Sequence, residues 1–134
     1  MFLKNLVLGV FIMSAPAFAS TYHKYDFNTA NDITADDMQD LSYDVQYFYE
    51  TLRECTSATQ VKFFRANRLE NLVYWDSRNG VRGFNVKASG HLPMPSGQPF
   101  TVELEITKTP IRDQNPPADG RQRTKTVCKI NVTP

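Results

Sequence analysis

Segment 34–56 carries one continuous apolar stripe, which constrains the fold more than any other part of the sequence. The apolar side chains recur at steps of three and four residues, the spacing of one face of an α-helix. They are Met38, Leu41, Val45, Phe48, Leu52 and Cys55. A helix with one apolar face must bury that face against another element. The pattern therefore predicts an amphipathic helix over 34–56 that packs on the rest of the chain.

The chain after this helix is predicted to form antiparallel strands separated by turns. The predicted strands are 58–65, 69–77, 81–88, 100–108 and 125–132. The clearest is 100–108, where apolar and polar residues alternate strictly. Asn79 and Gly80 predict a type I′ hairpin turn, because both residues tolerate positive φ. The predicted fold class is α+β, with one N-terminal amphipathic helix packed on a four- to five-stranded antiparallel sheet.

The first nineteen residues have the organisation of a secretory signal peptide. Lys4 precedes an apolar run over 6–13, and Ala17 and Ala19 place small residues where a signal peptidase cleaves. The run is too short to span a bilayer, which needs about 20 residues. The sequence thus predicts a signal peptide over 1–19, a flexible lead-in over 20–33 and a single α+β domain over 34–134. The expected location is the periplasm or the medium, with no membrane segment after cleavage.

Two cysteines, Cys55 and Cys128, are predicted to form a disulfide bond. Exported proteins with two cysteines commonly pair them. Cys55 ends the helical stripe, and Cys128 shares one face of the last predicted strand with Ile130, so both are expected to face the core. A catalytic thiol and a metal-binding pair are the alternatives, but the chain has no CxxC motif and only two histidines.

Charge is distributed unevenly along the chain. Residues 20–54 contain eight acidic and two basic side chains, whereas 55–134 contain six acidic and twelve basic ones. This asymmetry is compatible with two surfaces for different partners. We favour the alternative that the acidic and basic regions attract each other within the fold or are solvated.

Residues capable of catalysis form no recognisable motif. Ser89 and His91 lie two residues apart, but the chain has no GxSxG elbow. The two histidines, His23 and His91, have no neighbours at zinc-ligand spacing. The acidic residues of 26–37 lack the glycine and the final glutamate of a calcium loop. We therefore predict no catalytic residue, no metal ligand and no cofactor.

Two loops, 89–99 and 109–123, are the predicted binding surfaces. The first is dense in proline and glycine, and the second is long, proline-containing and basic. Their candidate binding residues are Ser89, His91, Met94, Arg112, Arg121 and Arg123. The basic loop lacks interleaved aromatic residues, so nucleic acid is not a predicted partner.

The order of elements resembles the cystatin-like architecture and small exported bacterial proteins that share it. The resemblance rests on a helix ending at Cys55, a following Thr-Ser-Ala-Thr segment and a sheet closed by the strand that bears Cys128. The Gln-x-Val-x-Gly loop of cystatins is absent, so protease inhibition is not implied. Ser89-Gly90-His91 is similar to the Ser-Gly loops with which some periplasmic inhibitors plug lysozyme.

These observations predict an exported, non-enzymatic binding module. Its expected partner is a protein or a small molecule in the periplasm or outside the cell, and the oligomeric state is not predicted. Two alternatives remain: a small periplasmic hydrolase that uses His91, and a periplasmic enzyme inhibitor that uses the 89–99 loop.

Overall fold

The computed structural model describes residues 19–28, 35–111 and 123–134, with the backbone alone at 19, 20 and 35–38. The elements are β1 (Ala19–Asp26), α1 (Ala35–Leu52), α2 (Ser57–Arg65), β2 (Arg68–Ser77), β3 (Arg82–His91), β4 (Pro99–Pro110) and β5 (Thr124–Thr133). The α+β class is confirmed, but the predicted fold is wrong in its helices. The described chain has two helices instead of one, and both follow β1, so neither is the N-terminal element.

The five strands form one antiparallel sheet in the order β1-β2-β3-β4-β5. The two helices lie in the connection between β1 and β2. They pack against one face of the sheet, where Phe48 of α1 and Phe63 of α2 join Phe84, Leu104 and Ile106 in a single buried cluster. The apolar alternation of β4 supplies the centre of that face, as predicted.

The apolar stripe of α1 faces the core as predicted wherever its side chains are described, although Val45 is only partly buried. Leu41, Phe48 and Leu52 are all in the core. The predicted helix start at Thr34 and the side chain of Met38 lie outside the described residues. Burying each large apolar side chain contributes roughly 1.5–3 kcal/mol, so this stripe is a main source of the fold's stability.

Strand β1 occupies the first half of segment 20–33, which was predicted to be a flexible lead-in. Its residues 21–26 pair with β2, from Thr21 opposite Asp76 to Asp26 opposite Asn71. Tyr25 is buried in the core, whereas Tyr22 on the opposite face is exposed. The strand depends on a partner about fifty residues away in the sequence, so local pattern carries little information about it.

Segment 58–65 was predicted as a strand, and this is wrong because α2 occupies it. Thr56 caps the helix, accepting a hydrogen bond at its Oγ1 from the Thr59 backbone N–H at 3.3 Å. Thr59 and Phe63, four residues apart, face the core, whereas Val61 and Phe64 are exposed. The alternation of Val61 and Phe63 suggested a strand, but burial follows the helical period.

The β2–β3 turn lies at the predicted place but is not the predicted type I′. A type I′ turn needs positive φ at both Asn79 and Gly80. Gly80 has φ 84°, but no non-glycine residue in the described chain has positive φ, so Asn79 does not fit this turn type. The Ser77 N–H donates to the Val81 carbonyl at 2.8 Å, and the Gly80 N–H donates to the Ser77 carbonyl at 3.2 Å. This is a three-residue loop ending in a left-handed glycine. Asn79 stabilises it by accepting from the Val81 N–H at 3.2 Å.

The predicted disulfide between Cys55 and Cys128 is confirmed, with Cα atoms 5.8 Å apart. Cys55 follows the end of α1. Cys128 is on β5, where it pairs with Ile106 of β4. The bond therefore fastens the helical layer to the last strand of the sheet. A formed disulfide is typical of compartments outside the cytoplasm.

Of the helices described, neither is both long enough and apolar enough to cross a bilayer.

Candidate functional site

The two predicted binding loops lie at opposite ends of the sheet. The loop around 92–98 connects β3 to β4, and the connection over 111–123 joins β4 to β5. β4 has 12 residues and runs from one end to the other, a length of about 36 Å at roughly 3.3 Å per residue. The described ends of the second connection, Ile111 and Arg123, therefore lie at the end of β4 opposite to the 92–98 loop, and residues 112–122 lie outside the described residues.

Residues 92–98, which we call the proline loop, form a closed tip on the β3–β4 hairpin. The Leu92 N–H donates to the Gln98 carbonyl at 2.8 Å, and the Gly97 N–H donates to the Pro93 carbonyl at 3.4 Å. Met94 is 82% exposed and Leu92 is 44% exposed. Proline fixes its own φ, so this loop presents two large apolar side chains from a backbone with restricted freedom.

Ser89 and His91, the other predicted residues of this loop, belong to β3. The Ser89 hydroxyl donates to Glu70 Oε2 at 2.7 Å, so it supports the sheet rather than facing a ligand. His91 is exposed at the strand end. Among the residues described here, none donates to or accepts from its ring, so the hydrolase alternative gains no acid or hydroxyl partner.

Of the three predicted arginines, only Arg123 is described. It is exposed directly before β5, and its carbonyl accepts from the Ile111 N–H at 2.8 Å. This hydrogen bond closes the base of the β4–β5 connection. Arg112 and Arg121 lie outside the described residues.

A row of polar side chains crosses the sheet at this same end, on the face that carries the helices. It contains one residue from each strand, and successive members are cross-strand partners: Thr21, Asp76, Arg82, Lys108 and Thr126. We call it the polar row. It lies next to the apolar core, one core-facing position beyond Phe84 and Ile106.

Glu54, two residues after the end of α1, connects this part of the chain to the polar row. Lys108 Nζ donates to Glu54 Oε2 at 3.0 Å, and the Thr126 hydroxyl donates to Glu54 Oε1. Partial burial raises the pKa of Glu54, but these two hydrogen bonds and the charges of Lys108 and Arg82 lower it more, so the net shift is downward. The carboxylate is thus held in its charged form, as a structural ion pair requires.

The Tyr47 ring of α1 contacts both cations of the row. The Arg82 guanidinium carbon is 5.6 Å from the centre of the Tyr47 ring, and Lys108 Nζ is 5.9 Å from it. Cation–π contacts at this range are favourable. They add to the attraction between the helix and this end of the sheet.

A second polar cluster joins β1 to α1 and was not found by sequence analysis. Asp44 is only 8% exposed, and its Oδ2 accepts from the Tyr25 hydroxyl at 2.7 Å and lies 2.7 Å from His23 Nδ1. A carboxylate that orients a histidine is part of a catalytic triad. Among the described residues no nucleophile is hydrogen-bonded to the histidine, and the two contacts of Asp44 link β1 to α1.

Tyr74 lies against this cluster, with its ring centre 6.0 Å from that of His23. Burial raises the pKa of Tyr74 to about 12, and the negative charge of Asp76 adds to the shift. The phenol is therefore neutral at physiological pH and does not act as a base.

Neither a metal-binding group nor a similar protein indicates the function. Within the described ranges, no three His, Cys, Asp or Glu side chains are grouped closely enough to hold a metal ion. No protein-family model matches the chain, and neither a curated protein nor a solved structure matches it.

Proposed function

We propose that this protein is an exported, non-enzymatic binding module that contacts a partner protein through the proline loop. The observation that carries the proposal is the exposure of Met94 and Leu92 on a loop closed by its own backbone hydrogen bonds. An apolar side chain on a preorganised loop binds with a small loss of conformational entropy. Binding residues commonly lie on such loops above a rigid scaffold.

Two features support export to the periplasm or the medium. The disulfide between Cys55 and Cys128 suits an oxidising compartment, and the signal-peptide pattern of 1–19 supplies a route. Cleavage after Ala19 would leave all the β1–β2 pairs from Thr21 onward in place. The mature chain would therefore keep its five-stranded sheet.

The shape of the proline loop favours a protein partner over a small molecule. Small-molecule sites are concave, whereas Leu92 and Met94 project from the tip of a hairpin. A tip of this kind fits an apolar cleft on another protein. Where that cleft is an active site, the module would act as an enzyme inhibitor, which is the second candidate function.

Affinity capture with matched variants tests the proposal. Purified mature protein would be cross-linked in periplasmic extract of the native host, and the captured proteins quantified by mass spectrometry. The variant Leu92→Ser/Met94→Ser removes the apolar tip, and Val127→Ser/Val132→Ser removes two exposed apolar side chains of β5 as a control. Each lost apolar contact is worth roughly 1.5–3 kcal/mol, so we expect at least about a tenfold loss for the loop variant.

The control variant should retain the same captured proteins as the wild type. The proposal fails if the wild type captures no protein above background. It also fails if the loop variant and the β5 variant capture the same proteins in equal amounts.

A further inference from the structure

The outward face of α2 carries exposed apolar side chains that the core does not explain. Thr59 and Phe63 occupy the inner face of this helix and are buried. On the outer face, Val61 is 55% exposed and Phe64 is 59% exposed. The helix is therefore apolar on both sides, and only one side is covered by the described part of the chain.

This outer face carries a shallow depression that is wide open to solvent. Ser57, Gln60, Val61 and Phe64, together with Arg65, line a depression of about 460 Å³. The first four follow the spacing i, i+3, i+4, i+7. Four residues at this spacing form the hole that receives one side chain of a facing helix in knobs-into-holes packing. We call this depression the α2 hole.

Contacts with neighbouring elements hold the hole in shape. The Phe64 ring stacks on the Tyr49 ring of α1, with centres 6.3 Å apart and an interplanar angle of 10°. Gln60 Nε2 donates to the Cys55 carbonyl at 2.9 Å. Because these walls are fixed before any partner arrives, binding there loses little side-chain entropy.

The charges that α2 itself carries are all positive. The sequence of α2 contains no acidic residue, and Lys62 and Arg65 lie in its last turn. Salt bridges within the described residues involve neither of them. Arg53, exposed just before the helix, adds a third positive charge nearby. A partner of opposite charge would therefore be attracted to this face.

We propose that the α2 hole docks an acidic amphipathic helix of a partner protein. An apolar side chain of that helix packs against Val61 and Phe64, and its carboxylates lie beside Lys62 and Arg65. The depression has only two apolar walls, which suits the narrow apolar stripe of a helix, whereas binding to an anionic bilayer relies on a wider apolar face. This surface is separate from the proline loop and does not depend on the function proposed for that loop.

Two synthetic peptides of about 21 residues test the docking proposal, since about three heptads present several apolar positions on one stripe. Both carry leucine at the two apolar heptad positions; one has glutamate and the other has lysine at the flanking positions. Like charges at those positions keep each peptide from pairing with itself. Binding to the full mature protein would be measured by fluorescence anisotropy at low salt. We expect the acidic peptide to bind at least about tenfold more tightly than the basic one, and to weaken as salt screens the charges.

Three variants identify the surface. Phe64→Ser should weaken binding of the acidic peptide at least about tenfold, as loss of one buried aromatic contact implies. The charge reversal Lys62→Glu/Arg65→Glu should invert the preference, so that the basic peptide binds more tightly. Val127→Ser should change nothing. Far-ultraviolet circular dichroism and thermal melting would show that each variant is folded.

The proposal is overturned if neither peptide binds, or if the charge reversal leaves the preference between them unchanged. It is also overturned if phosphatidylglycerol vesicles bind the wild type in a Phe64-dependent way while both peptides fail, because the surface would then be a membrane contact.

Discussion

Phe48 is the residue at which the layers of this protein meet. Its side chain is 0% exposed. Its ring centre lies 5.4 Å from that of Phe63 on α2 and 5.5 Å from that of Phe84 on β3. One residue of α1 thus contacts both the second helix and the sheet, so its removal should be felt by all three elements.

Replacing Phe48 by alanine should lower the free energy of unfolding by about 3–5 kcal/mol, because a buried aromatic leaves a cavity. Phe64→Ala is the matched control on α2. Its ring is mostly exposed, so we expect a loss below about 1 kcal/mol. Chemical denaturation of both variants checks the difference, and equal losses would contradict the assigned burial.

Tyr74 predicts how stability depends on alkaline pH. Burial raises its pKa from 10.0 to about 12, so the folded state favours the neutral phenol. The resulting stabilisation is complete below pH 10 and is lost as pH rises toward 12. The wild type should therefore lose stability relative to Tyr74→Phe over that window. Absorbance of tyrosinate near 295 nm provides a direct check, and titration of Tyr74 near its ordinary pKa would refute the buried environment.

At the scale of elements, the local sequence pattern was sufficient to predict an element when that element has one clearly apolar face that the fold buries. The stripe of α1 and the strict alternation of β4 were predicted correctly for this reason. α2 was missed because Thr56 was interpreted as the end of one helix, although its hydroxyl caps the next. β1 was missed because its residues are polar and aromatic, and their burial depends on β2 and on Asp44.

The same reasoning explains what was predictable in the candidate sites. Met94 was predicted as a binding residue because prolines and glycine mark its loop in sequence. The contact of His23 with Asp44 joins residues 21 positions apart on different elements, so no local signal shows it. The α2 hole could not be predicted because segment 58–65 was predicted as a strand, on the alternation of Val61 and Phe63.

The cap of α2 gives a prediction for this element. Thr56→Ala removes the hydroxyl that accepts from the Thr59 N–H, so we expect a loss of about 1 kcal/mol. Ser57→Ala is the control, because this adjacent hydroxyl makes no hydrogen bond within the described residues. Thermal melting should separate the two variants. Equal melting temperatures would show that Thr56 does not cap the helix.

At the scale of the whole molecule, covalent and charged contacts fasten the helical layer to the sheet. The disulfide ties the end of α1 to β5, and the contact of Lys108 with Glu54 ties the same end to β4. The contact of His23 with Asp44 ties the middle of α1 to β1. Part of the charge asymmetry in the sequence is thus used within the fold, while Lys62 and Arg65 remain outside these pairs.

The disulfide predicts a change in stability comparable to that of Phe48→Ala. Its cysteines are separated by 73 positions, and the chain-entropy model gives about 4 kcal/mol for a loop of that size. Denaturation of the oxidised protein and of Cys55→Ser/Cys128→Ser should differ by about this amount. Mass measurement after alkylation without reductant should find no free thiol, and two alkylated cysteines would contradict the bond.

Our central claim is that one end of this sheet, marked by the proline loop, contacts a partner protein. The most direct test places a photo-cross-linking amino acid at Met94 and, in a separate variant, at Arg78 in the turn at the opposite end of the sheet. The claim predicts a discrete adduct in the native host from position 94 and none from position 78. Absence of an adduct at 94, or the same adduct from both positions, would contradict it.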